Sequence, residues 1–229
     1  MRESMISSPD GESIEDWSRF STLSRMVDHW DRPGWNSGKS AYYWYLTFDS
    51  AQLCAVTREL QERLGGLSLD MVESNWLHLS IARLAWSDEV DIGGVLEVAN
   101  AAASRCRNVD RFTLEIGPLA GSAGAIRFSV NPWAPIVSLR QKLISANPFG
   151  HESVLKRAFL PHITIAYNNH SRPAAPVIDA VAAVRGFPTI SIVVEDVALV
   201  EVRRDGHSYK WQPVARVSLG QGDPPTLRV

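Results

Sequence analysis

Apolar residues at Ile14, Trp17, Phe20, Leu23, Met26, Val27 and Trp30 recur at steps of three and four, the spacing of one face of an amphipathic helix. The stretch DRPGWNSGKS (31–40) breaks that pattern with Pro and Gly, and the first dozen or so residues are polar, as expected of a tail. From residue 42 onward, runs rich in β-branched and aromatic residues alternate with helical periodicity. Strands are predicted over YYWYLTF (42–48), WLHLSIARL (76–84), HITIAY (His162–Tyr167), ISIVVEDVALVEV (190–202) and YKWQPVARVSL (209–219). FTLEIGPL and AIRFSV form a hairpin joined through residues 121–124, and Asp205-Gly206 is the turn before the closing strand. Helices are predicted over 50–64, 90–106, 134–145 and 176–185, the last with Pro176 in its first turn. Hairpins outnumber crossovers, so an α+β fold is favoured over a doubly wound parallel sheet. Each half carries one histidine-bearing strand, which predicts two α+β lobes related by a pseudo-two-fold. The expected division is an N-terminal extension over 1–40 that packs on the body as a cap, a two-lobed domain over 41–219, and a polar, Pro-rich tail over 220–229.

Alternation along the two histidine strands decides what each face carries. In LHLSI, Leu77, Leu79 and Ile81 point to one side while His78 and Ser80 point to the other; in HITI, Ile163 and Ile165 oppose His162 and Thr164. An imidazole beside a hydroxyl suits the floor of a cleft better than a core. Pro161 cannot donate a ladder hydrogen bond, which places His162 at the start of its strand, near a sheet end. Displacement at phosphorus needs one group to take a proton from the attacking oxygen and another to give one to the leaving oxygen. Histidine does either near neutral pH. Hydroxyls one pleat away can donate to the non-bridging oxygens, where charge concentrates in the transition state. Either motif alone fits a structural strand histidine. The pair, apolar-His-apolar-hydroxyl-apolar in both copies, favours His78 and His162 as acid and base, with Ser80 and Thr164 as phosphate donors.

Composition narrows the partner. Twenty-three basic residues against 25 acidic ones give a formal net charge of -2, so no global positive field exists to grip long nucleic-acid backbones. A small nucleotide or an RNA end suits this balance. The two cysteines, Cys54 and Cys106, stand outside any metal-ligand spacing and are expected to be free, partly buried thiols. Neither a signal-like N-terminus nor eighteen consecutive apolar residues occur, which predicts a cytoplasmic protein without membrane insertion. No metal, cofactor or obligate protein partner is expected.

In these motifs, HLS at 78–80 and HIT at 162–164, and in strand order over roughly residues 41–219, the chain resembles the 2H phosphoesterase superfamily, which includes bacterial 2'-5' RNA ligase-like proteins and cyclic nucleotide phosphodiesterases. The resemblance implies two mainly antiparallel sheets flanked by helices, with the histidines meeting in a groove between lobes. It also implies metal-independent hydrolysis of a 2',3'-cyclic phosphate or 2'-5' linkage by His78 and His162. Ser80 stands where Thr is common, which keeps the hydroxyl. The N-terminal extension is an addition to the minimal fold. Two rivals remain: a nucleotide- or RNA-end-binding module with little turnover, and an enzyme adapted to another small phosphoester.

Further candidates are open to two readings each. Tyr45 shares a strand face with Tyr43 and Thr47, where a ring either stacks on a nucleobase or packs. Arg127, opposite Ile126 and Phe128, either reaches a phosphate or faces solvent. Tyr167 either donates at the groove edge or packs. Trp30, Trp35, Trp133 and Trp211 fall near loops or element ends, where stacking is conceivable. His29, His151, His170 and His207 sit in loops or at element ends, lack the apolar-His-apolar-hydroxyl-apolar pattern and are expected at the surface, as are the paired charges Arg203 and Arg204. No P-loop, HExxH or GxSxG pattern occurs, which disfavours nucleoside triphosphate hydrolysis, zinc proteolysis and esterase chemistry.

Overall fold

The computed structural model describes residues 9–31, 33–35, 38–149, 159–220 and 226–227. His151 lies outside the described residues. Two five-stranded antiparallel sheets form the body. The first runs β12-β11-β10-β2-β4, with β2 at Ser40–Thr47, β4 at His78–Trp86, β10 at Asp196–Asp205, β11 at Ser208–Ser218 and β12 at Thr226–Leu227. The second runs β3-β7-β6-β5-β9, with β3 at Asp70–Met71, β5 at Phe112–Ser122, β6 at Ala125–Asn131, β7 at His162–Tyr167 and β9 at Ile190–Val194. The fold is thus α+β with antiparallel sheets, as the alternation of the sequence implies.

Each sheet contains the same unit: a strand, a helix, and a second strand returning antiparallel beside the first. In one sheet it is β2, α2 (Ala51–Arg63) and β4; in the other β6, α4 (Trp133–Ala146) and β7. Ser50 starts α2 by accepting from the Leu53 backbone N–H at 3.2 Å, an N-cap that satisfies one orphan donor. The helices exchange sides, α2 packing on β7 and α4 on β4, while α3 (Ile92–Cys106) packs against α4. In both units the returning strand begins at its histidine, His78 or His162. The inward residues Leu79, Ile81, Ile163 and Ile165 are buried, joined by Trp44 and Leu46 from β2 and by Ile126 and Phe128 from β6. The remaining face of each histidine strand looks into the space between the sheets.

The strand expected over 190–202 is two strands in two sheets. β9 pairs with β5 and β10 with β2, and Glu195 between them carries the chain from one sheet to the other. The break falls at the acidic pair Glu195-Asp196, with the buried residues Val194 and Val197 on either side, so the apolar pattern resumes directly after it. The lobes are therefore not the two halves of the sequence, since β10 and β11 complete the sheet begun by β2 and β4.

The N-terminal helix α1 spans Pro9–Ser21, not residues 14–30. Hydroxyls end it: Ser21 Oγ donates to the Ser18 carbonyl at 3.3 Å and Thr22 Oγ1 to those of Ser18 and Arg19 at 3.1 and 3.2 Å, competing with continuation of the helix. The chain then forms a short β1 (Arg25–Met26) against β8 (Arg172–Pro173). Beyond it, Val27 N–H donates to Ala123 O and His29 N–H to Asn168 O, both at 2.8 Å. The buried face of α1 also differs from the apolar stripe. Ser13, Asp16 and Phe20 are buried and Ile14 is 66% exposed, because polar Ser13 and Asp16 have polar partners beneath them. Trp17 lies at the margin, with the Arg185 guanidinium 4.1 Å from its ring.

Phe20 seats α1 directly on Gly121 of β5. A Cβ there would lie 2.5 to 2.9 Å from three atoms of the buried ring, so the glycine is required by close approach. Gly121→Ala is expected to lower stability by about 1–3 kcal/mol in urea unfolding through overpacking. Gly66→Ala, where nothing lies within 4 Å, serves as the control. Equal midpoints for the two variants would mean that α1 does not press on β5 in solution.

Candidate active site

His78, Ser80, His162, Thr164, Tyr45, Arg127 and Tyr167, scattered along the chain, all line one cleft of about 620 Å³. The cleft is built where β4 and β7 approach each other between the sheets. Sheet register sets the partners of each ring. On the first sheet, His78 stands opposite Thr47 and Ser80 opposite Tyr45; on the second, His162 stands opposite Ser129 and Thr164 opposite Arg127. Tyr45 and Arg127 therefore occupy equivalent places in the repeated unit, diagonal to the two imidazoles.

The rings are held the same way. His78 Nδ1 lies 2.6 Å from the Trp76 carbonyl and His162 Nδ1 lies 2.6 Å from the Leu160 carbonyl, in each case the residue two before it. A carbonyl only accepts, so Nδ1 carries the proton and Nε2 keeps its lone pair. Among the described residues neither Nε2 has a protein hydrogen-bond partner. Both rings are half-buried. Burial disfavours the imidazolium and pulls both histidines down from 6.5 to about 4, with the Arg127 cation and the His78 ring adding to the effect at His162.

The flanking residues differ between the units. Tyr45 is buried and stacks on His78 with centroids 3.9 Å apart and planes 8° from parallel. Desolvation pushes its phenol well above its ordinary range, so it stays a neutral O–H beside Ser80. Arg127 is buried as well, which excludes the solvent-facing alternative. One guanidinium nitrogen, Nη1, sits 3.2 Å from His162 Nδ1 and the other, Nη2, pairs with Asp16 of α1. The shorter contact to Leu160 decides the tautomer, so the Arg127 contact sets a cation against an N–H edge. Asp16 also accepts from Ser129 Oγ at 2.7 Å, and Asn131 donates to Ser13 Oγ at 2.8 Å. The polar face of β6 is thus roofed by the polar face of α1.

His29, Arg83, Trp35 and Trp86 also line the cleft, and of these only Trp35 carries a signal in the sequence, as an aromatic ring near a loop. His29, expected at the surface, is buried because the segment carrying it is stitched to Asn168; its ring lies 4.0 Å from Tyr167 and its Nε2 is 3.2 Å from the Tyr209 hydroxyl. Arg83, Trp35 and Trp86 form a wall, with Arg83 4.6 Å above the Trp86 ring and Trp35 4.9 Å from it. Arg204 is not a solvated charge: it donates to the carbonyls of Trp30 and Trp35 at 2.8 and 3.2 Å and so holds that wall in place. His170 and His207 are both exposed, as expected, and His207 pairs with Asp70 at 2.9 Å. Cys54 and Cys106 are free. Among the described residues, no three His, Cys, Asp or Glu side chains converge as metal ligands, and no helix is long and apolar enough to cross a membrane.

A bilobal antiparallel fold with a strand-borne histidine and hydroxyl in each lobe defines a two-histidine phosphoesterase architecture. The family model for the 2'-5' RNA ligase superfamily matches residues 49–206, and the chain belongs to that superfamily. No curated protein sequence matches it. Among solved structures, E. coli LigT complexed with 3'-AMP aligns with TM-score 0.61 at 17% identity, covering 80% of this chain and 99% of LigT. LigT complexed with NADP+ gives 0.59 at 19% identity over the same shares. A Thermus thermophilus protein gives 0.58 at 17%, covering 81% of this chain and 99% of its own. At these identities the likeness is one of fold.

Both imidazoles resist protonation when folded, so the unfolded chain binds more protons between pH 6.5 and about 4. Stability contributed by the neutral rings is full above pH 6.5 and is lost as pH falls through that window. Thermal melts from pH 7 to 4.5 are expected to decline more steeply for wild type than for His78→Gln/His162→Gln. Parallel declines would show that the rings are not desolvated.

Proposed function

We propose that the chain hydrolyses a ribose-linked phosphodiester, a 2',3'-cyclic phosphate or a 2'-5' linkage, by metal-independent acid-base catalysis with His78 and His162. The observation that carries this reading is the shared tether: both Nδ1–H groups are spent on backbone carbonyls, which leaves both Nε2 atoms available in one cleft. One neutral Nε2 takes a proton from water as its oxygen attacks phosphorus. The other, protonated, gives its proton to the departing ribose oxygen as the P–O bond breaks. The products are a phosphomonoester and a ribose hydroxyl. Ser80 and Thr164 donate to the non-bridging oxygens and Arg127 supplies positive charge nearby. The near-equivalence of the two units permits either histidine to serve as base, according to which way the substrate lies.

Supporting the choice of substrate, LigT, which shares the fold, has been solved in complex with 3'-AMP and with phosphate. Aromatic walls around a polar floor suit a nucleoside phosphate, the rings offering stacking faces and the floor hydrogen bonds. A nucleotide or RNA end is the partner, and the reading requires no second protein.

The test is incubation of wild type, His78→Ala and His162→Ala with 2',3'-cyclic nucleotides and 2'-5'-linked dinucleotides in excess EDTA. Wild type is expected to turn over, and each variant to lose about 10²-fold or more in kcat. The kcat/KM profile is expected to be bell-shaped and displaced to the acid side of 6.5, following the lowered histidines. Binding without turnover would make the cleft a nucleotide-binding module. Loss of wild-type activity on chelation, or undiminished activity in both variants, would overturn the mechanism.

A further inference from the structure

The two repeated units place Tyr45 beside His78 and Arg127 beside His162. A neutral phenol can be buried without a counter-charge. A guanidinium cannot, and among the described residues the acidic partner of Arg127 is Asp16, delivered by α1 from outside the span that the family model matches. Asp16 is only 2% exposed, divides its two oxygens between Arg127 and Ser129, and has Arg19 at 3.6 Å behind it. Its helix is pinned at the same face by Ser13 on Asn131 and by Phe20 on Gly121.

We propose that Asp16 is a positioning residue of the site: from α1 it fixes the Arg127 guanidinium against the Nδ1 edge of His162 and cancels its charge there. As a role in catalysis this rests on the reading above; as a placement of charges it does not. The groups that act on His162 are Arg127 on β6, Asp16 on α1 with Arg19 behind it, and His78 on β4. Arg83, Asp31 and His29 carry the remaining ionisable character of the cleft wall, with its tyrosines. Arg127 opposes protonation of His162 and Asp16 favours it, so loss of the carboxylate leaves the cation unopposed. The N-terminal extension thereby becomes part of the catalytic apparatus.

The experiment is an NMR titration of the His162 and His78 rings in the full chain, for wild type, Asp16→Asn, Arg127→Met and the double variant, alongside turnover of a 2',3'-cyclic nucleotide. In Asp16→Asn the His162 midpoint is expected to fall by about one pH unit with His78 moving less, while Arg127→Met raises it. The double variant should return to or above the wild-type midpoint. A merely structural Asp16 would lower melting temperature without moving the midpoint, and an unchanged midpoint in folded Asp16→Asn overturns the proposal. Should that variant not fold, Arg127→Met decides: a His162 midpoint that fails to rise overturns it equally. Wild type without turnover on any substrate would defeat the proposed activity and leave the titration to be judged separately.

Discussion

The arrangement of the cleft depends on one hydrogen bond made twice, from an imidazole Nδ1–H to the carbonyl two residues upstream. It joins His78 to Trp76 and His162 to Leu160, both at 2.6 Å. Each bond occurs where a loop or short turn enters a strand, so the chain direction there sets the ring orientation. A strand residue deeper in the ladder would have its neighbouring carbonyls committed to the sheet. Placing the histidine at the first residue of β4 and of β7 leaves a carbonyl available and points the ring between the sheets. Apolar neighbours on the opposite face then anchor the strand in the core, and the hydroxyl one pleat on falls beside the ring.

Duplicated geometry carries unlike chemistry. A phenol at Tyr45 and a guanidinium at Arg127 stand in equivalent places, and only the second demands a counter-charge. Removing one partner from a buried ion pair costs about 3–5 kcal/mol, which explains why α1 presents Ser13 and Asp16 inward and leaves Ile14 in solvent. The segment after α1 extends the same principle: His29 enters the cleft, and Arg204 holds the carbonyls of Trp30 and Trp35. The extension supplies both a buried charge and an aromatic wall.

Much of this was legible in residue order, for reasons that can be named. Period-two alternation in LHLSI and HITI places imidazole and hydroxyl on one face whatever the rest of the fold does. Helix and hairpin boundaries followed Ser50, Gly124 and Asp205-Gly206. Pattern reasoning failed where tertiary partners override it. The apolar stripe of α1 is not its buried face, because Asp16 finds Arg127 more than a hundred residues away, so a polar position is the buried one. His29 has no local motif, and its backbone bond to Asn168 and its ring contacts with Tyr167 and Tyr209 bring it inside. The run from 190 to 202 conceals a change of sheet at Glu195, because apolar residues before and after the acidic pair Glu195-Asp196 enter the same core although their strands pair in different sheets.

Two-histidine catalysis requires both rings on one phosphoryl group. A crystal structure of the full chain with a bound nucleoside 3'-monophosphate measures this directly. The expected result is Nε2 of His78 and Nε2 of His162 each within about 2.6–3.2 Å of oxygens on the same phosphorus, with Ser80 and Thr164 donating to the others. A phosphate gripped by one imidazole alone, or seated away from both, would contradict it.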